Sequence, residues 1–309
     1  PDKLEAANAL VMGSSFAGIP LSGPIFAGLA WAGANYPGAV PGASIFHDRS
    51  YSFAFMFDGL TFIVSALLLQ RMRLPRDQTT AVAPEPFLDA AREGQRYIRE
   101  RPLLRGLAYA VTIAMLGGGV LFALGIGYVR ETLGGGGVEC GWLMGLFGAG
   151  MVVGFLISQA KPAGGVTWTV RISLLAMGGV LIFMAVFPVL WIGYLMAAFF
   201  GSAFSVSLIV AMSTVQAKTD DAHRGRVMGL VHMLVRAALS FGALGAAAIA
   251  TTVPAEGIDL PGTGFQPDKN QVALIVAGAL IATGTIGVRA REHSSAIDGA
   301  VTPEAGPAT

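Results

Sequence analysis

GLAYAVTIAMLGGGVLFALGIGYV, residues 106–129, carries no charged side chain along its whole length and is bracketed by Arg105 and Arg130. As a helix it extends about 36 Å, enough to cross a hydrocarbon core of roughly 30 Å. Its apolar residues are not confined to one face, as they would be on a helix half-covered by a soluble core. The stretch therefore predicts a membrane-spanning helix.

Seven more runs of the same kind surround it, at residues 8–32, 52–70, 141–159, 171–187, 190–213, 227–251 and 271–289. The run from 171 to 213 is divided at Pro188, where a tight turn is expected. The composition agrees: 54% of residues are hydrophobic, only 13% are charged, and the mean hydropathy is +0.64. A soluble domain carries about a quarter charged residues. Short alternating segments, the mark of a membrane β-barrel, are missing. The expected fold class is an all-α membrane protein with eight transmembrane helices.

Basic residues in the connections give the direction of threading, because the cytoplasmic side keeps the excess of Lys and Arg. Placing both ends of the chain inside gathers Lys3, the arginines from Arg71 to Arg105, Lys161, Arg171, Lys218, Arg224, Arg226, Arg289 and Arg291 there. Arg49, Arg130 and Lys269 fall outside, and Arg236 falls within a span. The expectation is a multi-pass protein of a bacterial-type plasma membrane with both termini cytoplasmic.

Four regions follow: two helices over 1–70, a cytoplasmic linker over 71–105, a six-helix bundle over 106–290 and a disordered tail over 291–309. The linker opens as RMRLPRDQTTAVAPEP and continues as FLDAAREGQRYIRERP. In its second half Phe87, Ala91, Gln95 and Ile98 share one helical face opposite the charges, which predicts a short basic helix lying on the membrane surface. The tail from 293, HSSAIDGAVTPEAGPAT, has the composition of a disordered segment.

Several chemistries are excluded. The net charge of +1 gives no hold for nucleic acid, the single Cys140 forms no internal disulfide, and His47, His223, His232 and His293 lack metal-ligand spacing. No Walker pattern or hydrolytic set is present, so neither an enzyme nor a resident cofactor or metal is expected.

The 42 glycines include Gly141 with Gly145 and Gly150 with Gly154, spacings that bring helices close in lipid. LGGGG at 133–137 is expected to be a flexible outside turn. GIPLSGPIFAG, residues 18–28, sets Gly18, Pro20, Gly23, Pro24 and Gly28 inside an apolar helix. Its prolines free carbonyls and bend the helix, and its glycines admit a neighbour at the bend. The expected result is a packing seam, a hinge or a seal.

Polar groups within spans are costly and hence the leading functional candidates. Arg236 lies near mid-depth, where it serves either as a substrate contact in a central cavity or as a hydrogen-bonding residue between helices. Asp58 lies about two turns from the outside, as a proton-binding carboxylate or as an interhelical hydrogen-bond partner. In QAKTDDAHRGRVMGL, Asp220 or Asp221 is placed to cap the following helix. Arg224 and Arg226 are placed to reach the cytoplasmic ends of neighbouring helices, as a charge clasp or as plain topology anchors.

ANALVMGSSFAGIPLSGPIFAGL, FMFDGLTFIVSALLL, EGQRYIRERPLLRGL and DDAHRGRVMGLVHMLVRAALSFGALGAA together resemble the major facilitator superfamily, in particular its drug-efflux branch with the macrolide and enterobactin exporters. The resemblance implies two six-helix halves joined by a long cytoplasmic connection, with the site at midplane between them. Matching that connection to 71–105 makes the chain the family's fifth to twelfth helices, N-terminally truncated. Gly23, Pro24 and Gly28 then match the antiporter motif of the fifth helix, with Ala27 where a glycine is usual. The RGR of 224–226 resembles the loop before the eleventh helix, which carries a gating role to Asp221, Arg224 and Arg226. The equivalent connection GFLISQAKPAGG lacks the corresponding charges.

The implied activity is secondary active, proton-coupled efflux of an amphipathic small molecule by alternating access. Its partners are the substrate, protons and membrane lipid, and it acts as a monomer. The rival is a non-transporting membrane sensor or scaffold built on the same fold.

Overall fold

The computed structural model describes residues 22–36, 52–71, 87–159, 164–254, 257–258 and 265–289. Regular structure among them is helical: α1 (residues 22–35), α2 (Ser52–Arg71), α3 (Phe87–Glu100), α4 (Pro102–Gly127), α5 (Gly137–Gln159), α6 (Gly165–Val186), α7 (Leu190–Ala217), α8 (Asp221–Thr252) and α9 (Lys269–Arg289). A π-helical turn, Tyr128–Thr132, prolongs α4.

Among the described residues six helices, α2 and α4 to α8, are long and apolar enough to cross a membrane. The predicted span 8–32 is described only from residue 22, where α1 begins. The expected break at Pro188 is present: α6 stops at Val186 and α7 starts at Leu190 after the extended Val189. Other spans outrun their apolar cores. α8 starts six residues before the predicted 227, so that the RGR segment is helical rather than a loop.

The core is formed where α4 packs on α8 and α9, α5 on α7, and α6 on α7 and α9. Leu104, Leu107, Leu174, Met177, Leu181 and Ile281 are its largest fully buried apolar side chains. Glycines set the spacing. A methyl group added to Gly150 or Gly154 would meet the carbonyls of Ala198 or Ser202 on α7, and one on Gly201 would meet that of Phe147 on α5. Gly119 and Gly242 make the same approach between α4 and α8, and Gly178 and Gly278 between α6 and α9. Backbones in lipid associate by close contact of this kind.

α2 differs from these helices. It is exposed along nearly its whole length, with Ser52 its buried residue. With α1 it stands beside the α4–α5 junction.

Gly178 and Gly179 are neighbours in sequence but not in environment, because no atom lies within 4 Å of a Cβ on Gly179. Gly178→Leu should cost at least the roughly 1–3 kcal/mol typical of overpacking. The measurement is thermal unfolding in detergent, in which Gly179→Leu should leave the midpoint unchanged or slightly raised.

Candidate functional site

α1 lies antiparallel against α5, since Gly23 meets Gly145 and Ala27 meets Gly141. A Cβ on Gly145 would stand 2.8 Å from Pro24 Cδ, and one on Gly141 would stand 2.6 Å from Ala27 Cβ. The seam therefore joins a helix preceding the basic linker to one following it. Gly28 takes no part in it, because the space around its missing side chain is open. Gly18 and Pro20 lie outside the described residues.

Beside the seam, α1 and α2 face the end of α4 and the start of α5 across an open groove of about 1020 Å³. Ile25, Phe26, Phe55, Phe57 and Ile126 give it apolar walls, and Asp58, Arg130 and Cys140 also line it. Asp58 is exposed toward this space. Its main-chain carbonyl accepts a hydrogen bond from Thr61 Oγ1 at 2.7 Å. Its carboxylate has no hydrogen-bond or ion-pair partner among the described residues, so no interhelical hydrogen bond accounts for it there.

Arg236 occupies the middle of α8. It shares one exposed face with His232 and Ser240, each one turn away. Ser240 Oγ donates to the Arg236 carbonyl at 3.1 Å, and His232 Nδ1 lies 2.8 Å from the Met228 carbonyl. The Arg236 guanidinium has no partner among the described residues, so there it joins no neighbouring helix. The groove lined by Asp58 does not include Arg236; the two are not brought into one pocket.

The end of the bundle where α8 begins holds a polar cluster that the sequence reading places only in part. α3 turns Gly94, Tyr97 and Ile98 inward, against α8 and α4. The expected face containing Gln95 is wrong, for Gln95 is exposed, and the side chain of Phe87 lies outside the described residues. The reason is Gly94: a Cβ there would stand 2.8 Å from the Arg226 carbonyl, so the helix seats on its glycine side.

Around that contact Tyr97 Oη donates to Asp220 Oδ2 at 3.0 Å and accepts from the Asp220 amide at 3.0 Å. Arg101 places its guanidinium 3.5 Å above the Tyr97 ring and 3.6 Å from Asp220. The His223 ring stacks on that of Tyr97, with centroids 4.7 Å apart. Glu93 Oε1 receives Arg226 at 2.8 Å and lies 3.4 Å from His223 Nε2.

Asp220 does stand at the N-cap position of α8, but its side chain makes no cap. Its carboxylate is spent on Tyr97 and Arg101. Of the three predicted gate residues only Arg226 crosses to another element among the described residues. Arg224 pairs with Asp221 at 2.6 Å, one turn away on the exposed surface of α8.

A second polar cluster closes the opposite end. Tyr128 Oη donates to the Met184 carbonyl at 2.6 Å, Thr132 to Asp268 at 2.6 Å, and Gln271 Nε2 to the Ala185 carbonyl at 2.7 Å. Glu131 takes Lys269 at 3.0 Å and Asn270 Nδ2 at 3.1 Å. Glu131, itself exposed, thus ties the π turn to α9. The glycine run after it forms the expected turn with hydrogen bonds of its own: Gly134 has φ +66°, the Gly135 amide donates to the Val129 carbonyl, and that of Gly136 to Glu139. The π turn that aims these groups has no periodic signature in sequence.

The Major Facilitator Superfamily profile matches residues 1–243. The chain belongs to this superfamily. No curated protein matches it. As a facilitator it is a multi-pass membrane transporter, and the matched region contains the α1–α5 seam, the Asp58 groove, Arg236 and the α3–α8 contact. Among the described residues no three His, Cys, Asp or Glu side chains group as metal ligands.

Tyr97→Phe removes the hydroxyl that both donates to and accepts from Asp220. A hydrogen bond this open to solvent is worth about 1 kcal/mol net. Amide hydrogen exchange across Phe87–Glu100 should therefore quicken about fivefold in the variant, with exchange in α5 unchanged.

Proposed function

We propose that this facilitator is a proton-coupled exporter of an amphipathic small molecule, of the drug-efflux branch of the superfamily. In this reading α1 and α2 are the family's fifth and sixth helices, α4 to α9 are its seventh to twelfth, and α3 lies on the cytoplasmic side of a bacterial plasma membrane. The observation that carries it is the Asp58 carboxylate, open to an apolar groove between the helices on either side of the basic linker.

Exchange of a proton for a cargo requires a proton-carrying group within reach of the cargo's path, and Asp58 is the carboxylate that lines this groove. Arg236 lies outside this groove, so the contact we assign it with a polar group of the cargo belongs to a separate surface of α8. The apolar walls suit the cargo's hydrocarbon part.

The α1–α5 seam acts as the bearing between the two groups of helices. It has no room for a side chain at Gly23, so the backbones there slide or tilt only as packed units.

Reconstituted full-length protein, assayed for transport of amphipathic dyes under an imposed pH gradient, tests this reading. Uptake should collapse on adding an uncoupler. Asp58→Asn should lower gradient-driven transport at least about tenfold, the scale of losing a proton-transfer group, while leaving protein abundance normal. Undiminished gradient-driven transport by Asp58→Asn would exclude the role given to that carboxylate. Gly23→Leu should abolish transport or make the vesicles leak, and normal transport by it would remove the seam from the mechanism.

A further inference from the structure

α3 has two opposite faces, and docking on the bundle uses only one of them. Gly94, Tyr97 and Ile98 are buried, while Arg92, Arg96 and Arg99, at i, i+4 and i+7, are exposed on the other side. Arg92 shares its charge with Asp89 at 3.3 Å. Arg96 and Arg99 have no carboxylate partner among the described residues.

The ridge does not end with α3. Arg105, one turn into α4, donates to the Arg99 carbonyl at 3.5 Å and is itself exposed. Only Arg101 separates α3 from α4, and Arg101 is held by Tyr97 and Asp220. The arginine ridge is therefore fixed in direction and reaches the first turn of a membrane-spanning helix.

We infer that this ridge, Arg92, Arg96, Arg99 and Arg105, docks the headgroups of anionic phospholipids in the adjoining leaflet. The charge is complementary, and the guanidinium fork matches a phosphate in two-point contact. The membrane is preferred over an acidic protein because the ridge runs into α4 at the bilayer boundary, where a polybasic segment meets anionic headgroups. The Glu93–Arg226 pair and the Tyr97–Asp220 bonds join α3 to α8, so a lipid held on the outer face also steadies the start of α8. This inference rests on the chain spanning a membrane and not on the proton coupling proposed above.

The test uses the purified full-length transporter and three probes: phosphatidylglycerol, phosphatidylcholine and inorganic phosphate. Retention of lipid by native mass spectrometry and the shift in thermal midpoint are the readouts. Wild-type protein should retain phosphatidylglycerol over phosphatidylcholine, and its midpoint should rise with phosphatidylglycerol alone. Arg96→Gln with Arg99→Gln should cut that preference at least about fivefold, at roughly 1 kcal/mol per arginine near an anionic surface, while Arg96→Lys with Arg99→Lys should keep most of it. Both residues are exposed and outside the docking contacts, so the variants should fold. Equal retention by wild type and the Gln variant overturns the inference. So does an equal midpoint rise with inorganic phosphate, which would mark a free-anion site, or an absence of any preference in the wild type. A transport defect in Asp58→Asn leaves these readouts untouched, which keeps the two readings separable.

Discussion

In a bilayer the lipid tails are as apolar as leucine, so helices gain little by turning leucines toward one another, and close backbone approach takes over the work of association. The α5–α7, α4–α8 and α6–α9 contacts show that constraint. Gly150, Gly154 and Gly201 bring α5 and α7 together, Gly119 and Gly242 bring α4 and α8 together, and Gly178 meets Gly278 between α6 and α9. The α1–α5 seam repeats the device with Gly23, Gly141 and Gly145. Side chains at these points would separate the backbones and leave the long apolar faces with only lipid to touch.

Polar groups then collect where that packing ends. At one end Tyr97, Asp220, Glu93 and Arg226 fasten α3 to the start of α8, and at the other Tyr128, Thr132, Glu131 and Gln271 fasten the π turn to α6 and α9. Asp58 and Arg236 belong to neither cluster. Their charges face open space along the helices, and an ionised group in that position is stable only while water or a bound partner reaches it.

Much of the fold was legible because membrane crossing leaves a blunt record. The charge-free run 106–129, the break at Pro188 and the limits of the second span, 52–70 against Ser52–Arg71, follow from apolar length and breakers alone. The seam was legible as well, since Gly23 beside Pro24 is costly in a helix unless a neighbour needs the room. Gly28 was misplaced because one helix gives no information on which of its glycines faces the partner. Gln95 was misplaced for a related reason: apolar periodicity ranked it with Ile98, whereas the contact is centred on Gly94, whose small size is what lets the helix seat.

The sequence by itself determined a helical membrane protein and the pairs of small residues available for packing, both of which depend on local composition and spacing. Tertiary structure decided the partners. Asp220 keeps the N-cap position but gives its carboxylate to Tyr97, Arg226 crossed to Glu93, Glu131 found Lys269, and Asp58 and Arg236 were set on separate surfaces. These pairings join residues more than a hundred positions apart, and a hydrogen bond or ion pair depends on distances of about 3 Å that local periodicity does not encode.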